Sequence, residues 1–218
     1  VSRIYIPTHG ADDWRALLAD PQRHWRRGYS AMAIALSWEK ANGLPPEVAR
    51  ILGPDAELLL AIPEHKVALP GGRRESQCDV FALARSLGRT IALAIEGKVN
   101  EPFGPTVGEW LVDGSEGRIV RLNSICQMLG SPYPPPANLR YQLFHRTAAA
   151  IIEAKRFKTD EAAMIVHSFS QSHQWFDDFS AFCEYLGQVA VLDQPIAFML
   201  GEGMKLTLGW ATGSAEHT

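Results

Sequence analysis

Residues Glu75–Pro102, ESQCDVFALARSLGRTIALAIEGKVNEP, constrain the chain more than any other stretch. Alternating runs near Asp79–Arg85 and near Thr90–Val99 read as two strands, and Leu87-Gly88-Arg89 is the only turn-like break between them. If the strands pair about Leu87-Gly88, opposed residues have numbers summing to 175, which sets Asp79 against Glu96. Directly opposed side chains lie roughly 5 Å apart. Lys98 is two residues beyond Glu96 and points to the same face, while Ile91, Leu93 and Ile95 form an apolar stripe on the other. Two carboxylates and a lysine therefore meet at the open end of the hairpin.

Carboxylates this close repel unless a cation sits between them. Mg²⁺ or Mn²⁺ suits that need, because hard cations take oxygen ligands and keep several waters. An adjacent ammonium can orient a water or neutralise charge on a phosphate. Against this stands the commoner fate of a Glu-x-Lys on a strand, a solvated surface pair that contributes little.

The arrangement Asp79…Glu96-Gly97-Lys98 resembles the core of the PD-(D/E)XK nuclease superfamily, the restriction-endonuclease-like fold. The proline of that pattern is missing, since Cys78 precedes Asp79. The resemblance spans about Tyr29 to Ser170 and implies a nuclease cleaving phosphodiester bonds in DNA or RNA. Asp79 and Glu96 would be its metal ligands and Lys98 its water-activating group. It also implies an extra acidic ligand on a preceding helix, for which Glu39 is the matching residue, and a glutamine or basic residue on a following helix, for which Gln142 and Arg146 match. Each has a plainer reading, a solvated helix-end glutamate and a polar helix face.

The order of elements, helices, then strands, then helix–strand–helix–strands, fits an α/β fold: a single domain with a central mixed β-sheet flanked by helices. Its core would run from about 29 to 170, after an N-terminal extension over 1–28 and before a C-terminal helix and closing strands over 171–213. Strands are expected over Ile4–Ile6, Glu57–Ile62, Lys66–Leu69, Ala162–Ser168, Ile196–Leu200 and Leu206–Trp210, with Pro63 separating the second from the third. Helices are expected from Asp12/Asp13 to Leu18 and over Tyr29–Ala41, Glu47–Leu52, Thr106–Val112, Glu116–Leu129, Leu139–Phe157 and Gln174–Leu186, with a disordered tail over Ser214–Thr218.

Two basic patches are candidates for phosphate. Arg73 and Arg74 follow Pro70-Gly71-Gly72 close to Asp79, and Gln77 shares its strand face. The segment Gln22–Arg27 interleaves cations with Trp25, which is compatible with gripping a phosphate backbone or with arginine stacking on a surface tryptophan.

A net charge of −3 argues against a protein that coats nucleic acid non-specifically, though not against a locally basic cleft. No apolar run is long enough for a membrane span, and VSRIYIPTHG lacks the apolar stretch of a signal peptide. Cys78, Cys126 and Cys183 are odd in number and far apart, which supports neither a disulfide framework nor a zinc site and leaves the reduced cytoplasm as the default. Cys78 or Cys126 could approach His145 or His167, but no spacing calls for it. A homodimer stays open, as does a catalytically inactive nuclease-like fold serving as a binding or assembly module.

Overall fold

The computed structural model describes residues 8–18, 20–201 and 203–218, so the strand expected over Ile4–Ile6 lies outside the described residues. Six strands form one mixed sheet in the order β1-β2-β3-β4-β6-β5, flanked by helices on both faces. They are β1 (Glu57–Val67), β2 (Ser76–Ser86), β3 (Arg89–Lys98), β4 (Glu161–Ser168), β5 (Ile196–Met199) and β6 (Lys205–Thr212). The first three run antiparallel as a meander, β3, β4 and β6 run parallel, and β5 closes the sheet antiparallel to β6. Central β4 is buried along its whole length, as a strand covered on both faces must be.

The hairpin has the expected register, with pairs from Ser86–Arg89 to Val80–Ile95 that each sum to 175. Leu87 and Gly88 both have positive φ, 49° and 73°, the form of a two-residue turn that matches strand twist. Asp55 holds the turn by accepting from the Leu87 amide at 2.9 Å and from the Ser86 hydroxyl at 2.9 Å.

Pro63 does not break its strand. β1 runs unbroken through it, because β1 is the sheet edge and a residue there can lack an N–H without costing a ladder bond. The C-terminal tail is also ordered: Ala215–His217 is a 3-10 turn whose Glu216 meets Lys40 at 2.7 Å.

Helices α1 (Pro21–His24), α2 (Ser30–Ala41) and α3 (Pro46–Leu52) precede the sheet, and a 3-10 turn over Ala11–Leu17 stands where a helix was expected. Helices α4 (Val107–Trp110), α5 (Glu116–Leu129) and α6 (Tyr141–Phe157) form the crossover from β3 to β4, and α7 (Phe176–Tyr185) follows β4. The Ile91, Leu93 and Ile95 stripe packs with Ile34, Trp38 and Ile51 of α2 and α3. On the other face Phe81, Ala92 and Ala94 pack with Leu143, Phe144 and Ala148 of α6. The alanines let α6 lie close over β3, which carries its polar residues to the hairpin's open end.

Candidate functional site

The ladders fail where the chemistry was expected. The β2–β3 pairing stops at Val80–Ile95, so the Asp79 and Glu96 backbones do not pair, while β3 continues beside β4 as far as Lys98–Ser168. On its other side β2 pairs Val80 with Pro63 and Cys78 with His65, passing over Asp79 and Glu64. Glu64 has φ 53°, in the left-handed region. Ala61 and Val67 of one strand accordingly fall in opposite core layers, though strict alternation would give them one face.

Side chains bridge the gap in the ladders. The Asp79 Oδ2 accepts the Gly97 amide at 2.6 Å, and the Glu64 Oε2 accepts the Gln77 side-chain amide at 2.7 Å. Gly97 is required here by close approach: a Cβ would lie 2.6 Å from Ile34 Cγ1 and 3.1 Å from Asp79 Oδ2.

Glu96, 2 % exposed, is the centre of the network. Its Oε1 accepts from Lys98 Nζ at 2.5 Å and from Gln142 Nε2 at 2.7 Å, and its Oε2 accepts from Arg146 Nε at 2.5 Å. Gln142 and Arg146 are four residues apart on α6 and therefore share a face. The Gln142 Oε1 accepts the Gly104 amide at 3.1 Å, fixing its orientation, and the Lys98 ammonium sits 4.9 Å from the centre of the Phe103 ring.

Behind this lies a relay. Arg146 donates to Ser76 Oγ at 2.9 Å, and Ser76 Oγ lies 2.8 Å from His145 Nδ1. Burial, reinforced by the Arg146 charge, pushes the His145 pKa well below its ordinary value. The imidazole is therefore neutral, and its Nδ1 can accept from the Ser76 hydroxyl.

Glu64, Asp79 and Glu96 all face one cavity of about 870 Å³, with Lys98, Gln142 and Arg146 on its walls. Their acidities diverge. Burial alone would raise Glu96, but Lys98 and Arg146 hold it down to about 2. Burial pushes Asp79 up to about 7, helped by the Glu96 charge, and pushes Glu64 up to about 8, helped by Asp79. Burial opposes the Arg146 charge, yet Glu96 more than offsets it and keeps the guanidinium ionised.

Asp79, Glu96, Lys98 and Gln142 thus converge, and Gln77 lines the cavity with them. Three expectations need correction. Glu39 is not at the cavity; its Oε1 accepts from Trp14 Nε1 at 2.7 Å and from Thr8 Oγ1 at 2.6 Å, which is why a helix-end position is acidic. Arg73 and Arg74 are exposed on the loop before β2 and do not line the cavity, because Arg121 Nε holds Pro70 O of that loop at 2.9 Å over α5. Arg146 lines the cavity, but its guanidinium is engaged by Glu96 and Ser76 rather than left for a phosphate.

Sequence reading missed Glu64, since nothing in Ala61–Val67 announces that the edge strand flips its phase there. The cysteines offer no nucleophile: all three are free and buried, and burial pushes the Cys78 thiol up to about 12.

The donor set suits a hard cation in kind. Three of the roughly four lone-pair positions of Glu96 are taken, leaving one, and among the described residues Asp79 Oδ1 and Glu64 Oε1 accept no hydrogen bond. Also among the described residues, no group of three or more His, Cys, Asp or Glu is drawn together as a ready-made metal site. The ion pairs on Glu96 are the physical reason, because they turn its oxygens toward Lys98 and Arg146.

Fold and site together define an α/β domain with an acid-floored cavity where its central hairpin opens. The chain belongs to the family described as a domain of unknown function, DUF6946, whose model matches residues 7–215. No curated protein and no solved structure matches it.

Proposed function

We propose that the chain is a divalent-metal-dependent phosphodiesterase acting on DNA or RNA, with its site at the open end of the β2–β3 hairpin. The observation that carries this reading is a charge count. Three inner carboxylates, Glu64, Asp79 and Glu96, face two inner cations, Lys98 and Arg146, while Glu101 and Arg23, which also line the cavity, cancel, so one negative charge is left over when all are ionised. A buried excess charge is costly unless a proton or a cation answers it. The likeness of Asp79, Glu96 and Lys98 to the PD-(D/E)XK pattern gives the metal and substrate class.

Asp79 and Glu96 would hold Mg²⁺ or Mn²⁺, with Glu64 as a third oxygen donor. When bound, the cation would supply Lewis-acid polarisation of a phosphoryl oxygen and a more acidic water. Lys98 would orient the attacking water and offset charge developing on the phosphate. Gln142, held by Gly104, would turn its remaining amide hydrogen to a phosphate oxygen. Arg146 would keep Glu96 ionised and in place. The free buried cysteines and the lack, among the described residues, of a helix long and apolar enough to cross a membrane support a reduced, cytoplasmic setting.

One observation favours the second reading, a nuclease-like fold that binds without cleaving: Glu96 is already neutralised by Lys98 and Arg146. The deciding experiment measures Mg²⁺- and Mn²⁺-dependent cleavage of DNA and RNA by the native chain, Lys98→Ala and Asp79→Asn, with Mn²⁺ calorimetry on each. Cleavage lost in both variants supports the phosphodiesterase. Absent cleavage by the native chain together with absent Mn²⁺ binding sinks it and leaves the binding module.

A further inference from the structure

The cavity has an acidic floor and a basic rim. Its outer wall is the segment Arg23–Ser30, from which Arg23, His24 and Tyr29 line the cavity together with Asp79 and Lys98. No acidic residue occurs between Asp20 and Glu39. Arg23, Arg26 and Arg27 are all exposed, and among the described residues none has a carboxylate partner. Arg26 lies 4.1 Å from the centre of the Tyr29 ring and donates to its hydroxyl, so its fork is held against a ring that lines the cavity. Among the described residues Arg27 reaches the backbone oxygen of Thr218, at 3.4 Å, and no acidic side chain. The stacking partner is Tyr29 rather than Trp25, which is partly buried against the core beside α2.

Three exposed guanidinium groups in five residues, none with a side-chain carboxylate partner among the described residues, form a local phosphate track on a protein of net charge −3; Arg23 lines the cavity, and Arg26 and Arg27 extend the track outward from it. Its anchorage is firm: the Glu101 carboxylate accepts the Ser30 amide at 2.8 Å and the Asn100 amide at 3.0 Å, tying the rim to the loop after β3.

Depth selects the form of the substrate. Glu96 and Lys98 are 2 % and 3 % exposed, so the reacting groups lie at the bottom of the cavity and not on the surface. About 870 Å³ is within the range that encloses a small ligand, roughly 300–1,000 Å³, and admits a few nucleotides of one strand. The phosphates of an intact duplex would stay at the rim. The His24 and Tyr29 rings on the wall are flat surfaces of the kind on which unpaired bases stack.

We infer that Arg23, Arg26 and Arg27 bind the backbone of a single-stranded nucleic acid and lead it onto the carboxylate floor. The inference rests on the phosphodiesterase reading for its substrate class, but its test does not require cleavage. Fluorescence anisotropy would follow labelled single-stranded 12-mers of DNA and RNA, and the matching duplexes, in Ca²⁺ buffer over a range of salt. The native chain is expected to bind a single strand more tightly than the duplex. The triple variant Arg23→Ala/Arg26→Ala/Arg27→Ala is expected to bind at least about tenfold more weakly, and its log–log salt slope to fall by about 2 for three lost phosphate contacts. Arg73→Ala/Arg74→Ala is expected to bind like the native chain. Triple-variant binding equal to native, or a duplex bound as tightly as the single strand, would overturn the inference. Cleavage absent with this binding pattern intact would sink the phosphodiesterase reading alone.

Discussion

The two ends of the β2–β3 hairpin are made from the same strands and are built on opposite terms. At the turn, pairing runs unbroken from Ser86–Arg89, and Asp55 takes up the spare donors of Ser86 and Leu87. At the open end the ladder stops at Val80–Ile95, and the next donor, the Gly97 amide, goes to the Asp79 carboxylate. The turn end satisfies the backbone with backbone and buries alanine and isoleucine. The open end satisfies the backbone with charge and keeps three carboxylates against two cations. Local rules are broken in a fold most often where chemistry is placed, and here they are broken within one hairpin.

The largest effect that would test this contrast comes from Glu96→Ala. It leaves Lys98 and Arg146 buried without their anion, and removing one partner of a buried pair costs about 3–5 kcal/mol. Urea unfolding at pH 7 should show that loss. A loss below about 1 kcal/mol would mean the network is wet and the open end is not under charge strain.

Gly97→Ala comes next. Its Cβ would overlap Ile34 Cγ1 at 2.6 Å and press on Asp79 Oδ2 at 3.1 Å, so overpacking of about 1–3 kcal/mol is expected. Because the clash displaces Asp79, the variant should also lose metal-dependent cleavage. Full activity with a lowered Tm would show that Asp79 tolerates displacement.

The carboxylates of the open end also carry opposite pH signatures. Glu96 is held at about 2 from an ordinary 4.5, so its stabilisation is present above about pH 4.5 and lost as pH falls toward 2. Asp79 is pushed to about 7 from an ordinary 3.8. Between those values the folded chain keeps a proton that the unfolded chain has released, so stability falls as pH rises through that window and then levels. Asp79→Asn removes that loss while still offering an oxygen to the Gly97 amide. In EDTA the variant should be more stable than native at pH 8 and about equally stable at pH 4, read by thermal unfolding. Mn²⁺ at pH 8 should raise the native Tm and not the variant's. An Asp79→Asn chain that is less stable than native at pH 8 would show that the carboxylate is answered by a group inside the protein.

What could be read in the sequence divides along the same line. The register followed from one turn and a period of two, and it held wherever backbone pairs with backbone. Gln142 and Arg146 came from the resemblance to the PD-(D/E)XK pattern, and their spacing of four on α6 gives them one face. Glu64 was not legible, because its approach depends on a left-handed residue in an edge strand, which no alternation pattern records. Glu39 misled because a partner far away in sequence, Trp14, explains its charge. Pro63 misled because only the strand order shows that β1 is an edge. Local periodicity reads the turn end of the hairpin, and long-range contacts make the open end.

The smallest effect tests whether the two ends are independent. Leu87 is 72 % exposed, has φ 49°, and precedes Gly88 at φ 73°. A leucine contributes nothing there and pays for its left-handed backbone, whereas Asn-Gly is the preferred pair for this turn. Leu87→Asn keeps the N–H that Asp55 accepts and should stabilise the chain by about 0.5–1 kcal/mol, seen as a small rise in Tm. Cleavage rate and the Mn²⁺-induced shift should be unchanged, because seven ladder pairs from Ser86–Arg89 to Val80–Ile95 stand between the turn and Asp79. A changed cleavage rate in this variant would mean that strain is shared along the hairpin, and that the open end draws part of its geometry from an imperfect turn.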